Sequence, residues 1–229
     1  MSDINELEEM AAEPLLPELE ESITDGPLGP MIANEFCHSV VFLPGLANRQ
    51  YEQNKKSAYD SLAKGDWEGW VFRHERPYRT NALLHLIHHG HTSLLDRLFC
   101  KTARQTWMDC ENICQHLEDW EWIFKNTDGN LWMDEEERVT LNALSDRIKV
   151  YRGVCNDLGV SWSLSFEVAK FFANRQMNES TGIVRVGWVH RRDVFAYLST
   201  RGEKELIVLD PDKVHLSKGI DVGLPDNTN

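Results

Sequence analysis

Lysine and arginine are missing from the first thirty positions, which hold nine acidic residues and four prolines and close on "DGPLGP". Such a stretch has too little contiguous apolar surface to offset the entropy of ordering it. Residues 1–30 are therefore expected to be a mobile acidic tail, within which "INELEEMAAEPLLPELEE" can form a short amphipathic helix on a partner. Also missing is any apolar run long enough to span a bilayer, and the acidic start is unlike a signal peptide. A cytoplasmic protein without membrane contact is the expectation. Cysteine is sparse. The five present (Cys37, Cys100, Cys110, Cys114 and Cys155) are odd in number and without regular spacing, which reads as reduced thiols rather than a disulfide framework. Basic charge is scarce overall: the net charge is −13, and beyond residue 30 there are 24 basic against 28 acidic residues. A mildly acidic body argues against an extended nucleic-acid groove while leaving room for a local basic patch.

What is present divides in texture. The 229 residues suffice for one good core or two small domains. From about residue 50 to 146, "NALLHLIHHGHTSLLDRLF", "ENICQHLEDWEWIFKN" and "MDEEERVTLNALSDRI" space their apolar residues at three and four, as helices do. Residues 80–99 have the rhythm of one ankyrin repeat, but a lone repeat cannot bury its face and no second copy follows, so a helix pair is expected. His85, His88, His89 and His91 crowd the end of a helix and its turn, where positive charge suits the helix C-terminus. They lack the fixed ligand spacing of a zinc site, and no metal is expected.

After residue 147 come short β-rich runs: "IKVYRGV", "LGVSWSLS", "TGIVRVGWV", "VFAYLST" and "KELIVL". One helix interrupts them, "SFEVAKFFANRQ", with Ser165 as its N-cap. A helical half followed by a strand-rich half predicts an α+β fold. The expected division is a tail over 1–30, a helical region over 31–147, a strand-rich core over 148–220 and a C-terminal tail over 221–229.

Three signals in the strand-rich part carry chemistry. "VYRGV" sets Arg152 in a strand beside Gly153; an arginine facing a sheet interior needs an anionic partner, either a structural carboxylate such as Asp157 or a bound phosphate. "GVSWSLS" puts Ser161 and Ser163 on one strand face and Trp162 on the other. "STRGEKELIVLDP" places Glu203 and Glu205 two residues apart at the mouth of a buried strand, so that in an extended chain both project to one face despite their repulsion.

In order and spacing, an aromatic-Arg-Gly strand, a Ser-x-Ser strand running into the "AKFFA" helix and a Glu-x-Glu strand resemble the ADP-ribosyltransferase family, in its arginine–serine–glutamate branch of bacterial toxins and phage enzymes. The resemblance covers roughly residues 148–216. Where the family's middle motif is Ser-Thr-Ser, this chain has Ser161-Trp162-Ser163. The resemblance implies that Arg152, with Gly153, holds the diphosphate of NAD. Ser161 orients the catalytic carboxylate, with Trp162 and Ser163 beside it lining the NAD site. Glu205 is that carboxylate, and Glu203 receives the acceptor, protein arginine in this version of the motif.

The chemistry fits these residue types. Breaking the nicotinamide–ribose bond generates an oxocarbenium-like cation that a fixed carboxylate stabilises. A second carboxylate can orient and deprotonate a guanidinium. A glycoside hydrolase also uses two carboxylates, but they flank the scissile bond from separate elements. The expected function is mono-ADP-ribosyl transfer from NAD to a target macromolecule, most readily a protein. The setting implied is a toxin or effector, or a phage-encoded enzyme acting in the host cytoplasm. A nucleic-acid acceptor and a catalytically inactive partner-binding relative are the alternatives.

Overall fold

Two tight hairpins and their buried apolar residues organise the first part of the chain. The structure, a computed structural model, describes residues 8–41, 43–110, 113–154, 159–174, 182–217 and 220–221. The chain divides into two units, Met1–Trp120 and Glu121–Asn229.

In the first unit, strands β1 (Ile23–Gly26), β2 (Gly29–Asn34) and β3 (Cys37–Val40) form an antiparallel meander. Gly26 pairs with Gly29 around a two-residue loop, and Gly29 has a φ of 113° that a side chain would resist. The second hairpin pairs Asn34 with Cys37, and the Asn34 side chain accepts the Phe36 N–H. Helices α1 (Pro17–Glu20), α2 (Pro44–Ala63), α3 (Trp67–Phe72), α4 (Arg79–His88) and α5 (Arg97–Asp109) accompany the meander. Asp66 and Asp96 cap α3 and α5 with their carboxylates. The core gathers Trp70, Leu83, Leu86, Phe99 and Trp107.

The described part of the expected tail, residues 8–30, is folded into this unit. Met10 and Leu19 are buried, while Glu8, Glu9, Glu13, Glu18, Glu20, Glu21 and Asp25 face solvent. Buried Asn48 on α2 accepts the Leu16 N–H and donates to the Pro14 carbonyl and the Glu13 carboxylate. Short elements that each contribute one apolar residue leave no periodic signature. Their backbone groups are satisfied by a side chain far along the chain.

The second unit holds the C-terminal part of α6 (Leu117–Asn126), α7 (Gly129–Trp132), α8 (Glu135–Ala143), a seven-stranded antiparallel sheet and α9 (Phe166–Asn174). Asp134 and Glu137 form a reciprocal capping box at the start of α8. The strands are β4 (Arg147–Val154), β5 (Ser161–Ser163), β6 (Ile183–His190), β7 (Ala196–Leu198), β8 (Glu205–Ile207), β9 (His215–Leu216) and β10 (Ile220–Asp221). Their order is β10-β6-β4-β5-β8-β7, with β9 also on β6. Residues 121–147 thus group with the strand-rich unit, whose first residue stands 27 positions ahead of the expected boundary at 148. The architecture is mixed, with two antiparallel sheets. Among the described residues, no helix is long and apolar enough to cross a membrane.

Helix α9 lies on the sheet face that carries Tyr151, Gly153 and Val184 through its buried Ala169 and Ala173. Gly153 makes this approach possible, because a Cβ there would overlap the Ala169 carbonyl and the Ala173 amide.

Candidate active site

Strands β4, β5 and β8 are neighbours, and they carry the arginine, serine and glutamate motifs respectively. Tyr151 stands opposite Ser163, and Ser163 opposite Glu205. Directly opposed residues share a face, so Tyr151, Ser163 and Glu205 form one row across three strands. Ser161 lies two residues along on the same face, opposite Ile207. Trp162 is on the other face, 6% exposed, in a row with Leu206 and Tyr197. Its place is in the core; the indole anchors β5 from behind and is not part of the serine row.

The two hydroxyls differ in employment. Ser163 Oγ donates to the Glu203 carbonyl at 2.7 Å and accepts the Ser165 N–H at 3.0 Å. Its single proton is committed to the turn backbone. Ser161 and Tyr151 carry the other hydroxyls of this face.

Arg152 follows Tyr151 and so starts from the opposite row to Glu205. Its guanidinium donates from Nη1 to the Ser161 carbonyl at 2.8 Å, beyond the one paired position, Tyr151–Ser163, where β4 and β5 part. Gly159 lies against this guanidinium, and a Cβ there would overlap it. Gly159 is a site residue that the motif reading passed over; its only signal is a glycine just before the serine strand. Across the β4–β6 ladder Arg152 faces Arg185, and both are half-buried. The structure thus brings the motifs onto adjoining strands, but Arg152 and Glu205 do not share one row. Asp157, weighed as a structural partner for Arg152, lies outside the described residues, as do residues 155–158 and 175–181 generally.

The two glutamates are not side by side as in an extended strand. A 3₁₀ turn spans Thr200–Gly202, Glu203 has helical dihedrals (φ −75°, ψ −19°), and Lys204 is left-handed with φ 48°. This break removes the i, i+2 alternation of an extended strand. Glu205 is 9% exposed between Ser163 and Leu198, whereas Glu203 is half-buried on the turn. The Lys204 carbonyl accepts the Leu164 N–H at 3.1 Å, which ties the turn to the end of β5.

Two surface concavities lie in this unit, one lined by Arg192, Asp193, Phe195 and Lys213 and one by Leu141, Asp146, His190 and Arg191. Neither includes Arg152, Ser161 or Glu205. Among the described residues, no three His, Cys, Asp or Glu side chains are arranged to hold a metal ion. In the first unit His85 stacks on His89 and His91, with ring centroids 4.1 and 5.7 Å away, and lies against Trp70.

Comparison of the chain with protein-family models, with curated proteins and with solved structures finds no match.

Proposed function

We propose that the second unit is a mono-ADP-ribosyltransferase that takes NAD as substrate, releases nicotinamide and passes ADP-ribose to an arginine side chain of a protein. The observation that carries this reading is the placement of the three motifs on neighbouring strands, with Ser163 and Glu205 directly opposed.

In this reaction the bond between the ribose C1 and the nicotinamide nitrogen breaks, and its electron pair leaves with nicotinamide. Glu205 stabilises the ribose cation, and burial strengthens that effect because little water screens it. Ser161 holds the carboxylate. The acceptor nitrogen then bonds to C1, and its proton passes to Glu203. A partner-binding protein without turnover is the second reading, and one observation favours it: Arg152 starts from the row opposite to Glu205.

Incubation with labelled NAD in a cell lysate tests both. Nicotinamide release with label on protein is the expected result. Label on nucleic acid would change the acceptor, and absence of both release and label would leave the binding reading.

A further inference from the structure

We propose that Glu137, on α8, is a positioning residue for the turn that carries the two glutamates; the inference rests on the transferase reading of that turn. Glu137 is 1% exposed, which is costly for a carboxylate unless donors surround it. Its Oε2 accepts the Asp134 N–H at 3.0 Å, which completes the capping box. That task is local to the helix and uses one oxygen. The other oxygen does something else. Oε1 accepts the Ser199 N–H at 2.7 Å and the Ser199 hydroxyl at 3.1 Å, 62 residues away in sequence.

Ser199 is where the active-site turn begins. It precedes the 3₁₀ turn Thr200–Gly202, and its carbonyl accepts the Gly202 N–H at 3.1 Å. At the other end, Ser163 Oγ and the Leu164 N–H hold the carbonyls of Glu203 and Lys204. The segment is thus clamped at its start by Glu137 and at its end by β5. At the second clamp Lys204 is held in a left-handed conformation that non-glycine residues adopt at a cost of about 1 kcal/mol or more. Such a conformation persists only where its surroundings enforce it. Charge-assisted hydrogen bonds from a buried carboxylate are suited to that task.

The two glutamates depend on the clamp unequally. Glu205 is already in the β8 ladder, opposite Ser163 and Leu198, whereas Glu203 lies on the turn itself. Loosening Ser199 displaces Glu203 more than Glu205. It therefore uncouples transfer to the acceptor from cleavage of NAD.

Glu137→Gln keeps the shape but turns one accepting oxygen into an NH₂ donor facing another donor. In the full chain, the ratio of acceptor labelling to nicotinamide release should fall about ten-fold, the equivalent of one charge-assisted hydrogen bond. Amide hydrogen exchange at Ser199 and Gly202 should quicken while the exchange of β4 and β6 stays as in wild type. Ser199→Ala removes one donor and leaves the carboxylate in place, so it supplies the same readouts, to a smaller extent, if Glu137→Gln does not fold. Unchanged exchange at Ser199 together with an unchanged labelling ratio overturns the inference. If the wild-type chain releases no nicotinamide, the transferase reading fails. The exchange arm still decides whether Glu137 holds the turn.

Discussion

Glu205 is the more buried of the two glutamates and lies in the serine row, and on the proposed reading it faces the developing cation. Glu205→Gln keeps the shape and removes the charge. Loss of one preorganised electrostatic group lowers turnover by roughly a hundred-fold or more. Nicotinamide release and acceptor labelling should fall together, because both pass through the cation. Glu203→Gln should leave nicotinamide release, with water as acceptor, and abolish arginine labelling. Equal labelling by this variant and wild type would remove arginine as the acceptor. A different residue-scale effect belongs to the first unit. His74 is buried against Phe36 and Trp70, with its Nδ1 2.8 Å from the Trp70 carbonyl. Burial outweighs that bond and pushes its pKa down to about 4, so beside Glu35 at 3.7 Å it is a neutral imidazole above that pH. The unfolded chain, with an ordinary histidine pKa near 6.5, takes up the proton first. The stability contributed by neutral His74 is therefore complete above about pH 6.5 and is lost as pH falls toward 4, on the order of 3 kcal/mol in all. Thermal unfolding at pH 7 and pH 4.5 should show a steeper loss in wild type than in His74→Phe, which keeps the ring packing but cannot titrate.

At the scale of elements, the runs from "IKVYRGV" to "KELIVL" each contain a strand, and "FEVAKFFAN" forms α9 with Ser165 Oγ accepting the Val168 N–H. These were legible because β-branched runs and an amphipathic helix leave local periodicities. The pairing order was not, since antiparallel neighbours far apart in sequence carry no local mark. Nor was the left-handed Lys204, a conformation that a lysine does not advertise, and it undid the simple alternation of Glu203 and Glu205. The row opposite Arg152 follows only from the β4–β6 register. Gly153, which the resemblance sets at the diphosphate, lies against the α9 backbone. Gly153→Ala should push α9 off the sheet and cost about 1–3 kcal/mol, as overpacking does. A thermal midpoint equal to wild type would show that α9 yields without cost. The motif residues flanking Gly153 stay chemically intact in that variant, so on the proposed transferase reading any loss of nicotinamide release measures how far α9 positions strand β4.

At the scale of the whole molecule, composition reads a tail where the structure folds residues 8–30 into the first unit. Their charge is real, but the seven acids of residues 8–30 point outward, while Met10 and Leu19 enter the core of the first unit. A composition argument averages over a segment, whereas burial is decided residue by residue. One leucine removed from water contributes about 1.5–3 kcal/mol. Leu19 is fully buried, on a single helical turn whose backbone continues to Ser22; the Ser22 carbonyl in turn accepts the Ala33 N–H of β2. Leu19→Ala therefore removes buried methyl groups at a point where the chain is tied on both sides, by Asn48 before it and by the β1–β2 hairpin after it. Such a site collapses poorly, and the expected cost is about 2–5 kcal/mol. Denaturant unfolding of the full chain, followed by tryptophan fluorescence, measures it. Glu18→Ala, one residue earlier and exposed, is the control and should shift the midpoint little. Equal midpoints for the two variants would return residues 8–30 to the status of a tail. A large difference between them makes this acidic segment a structural part of the first unit, with its charges as the solvated face.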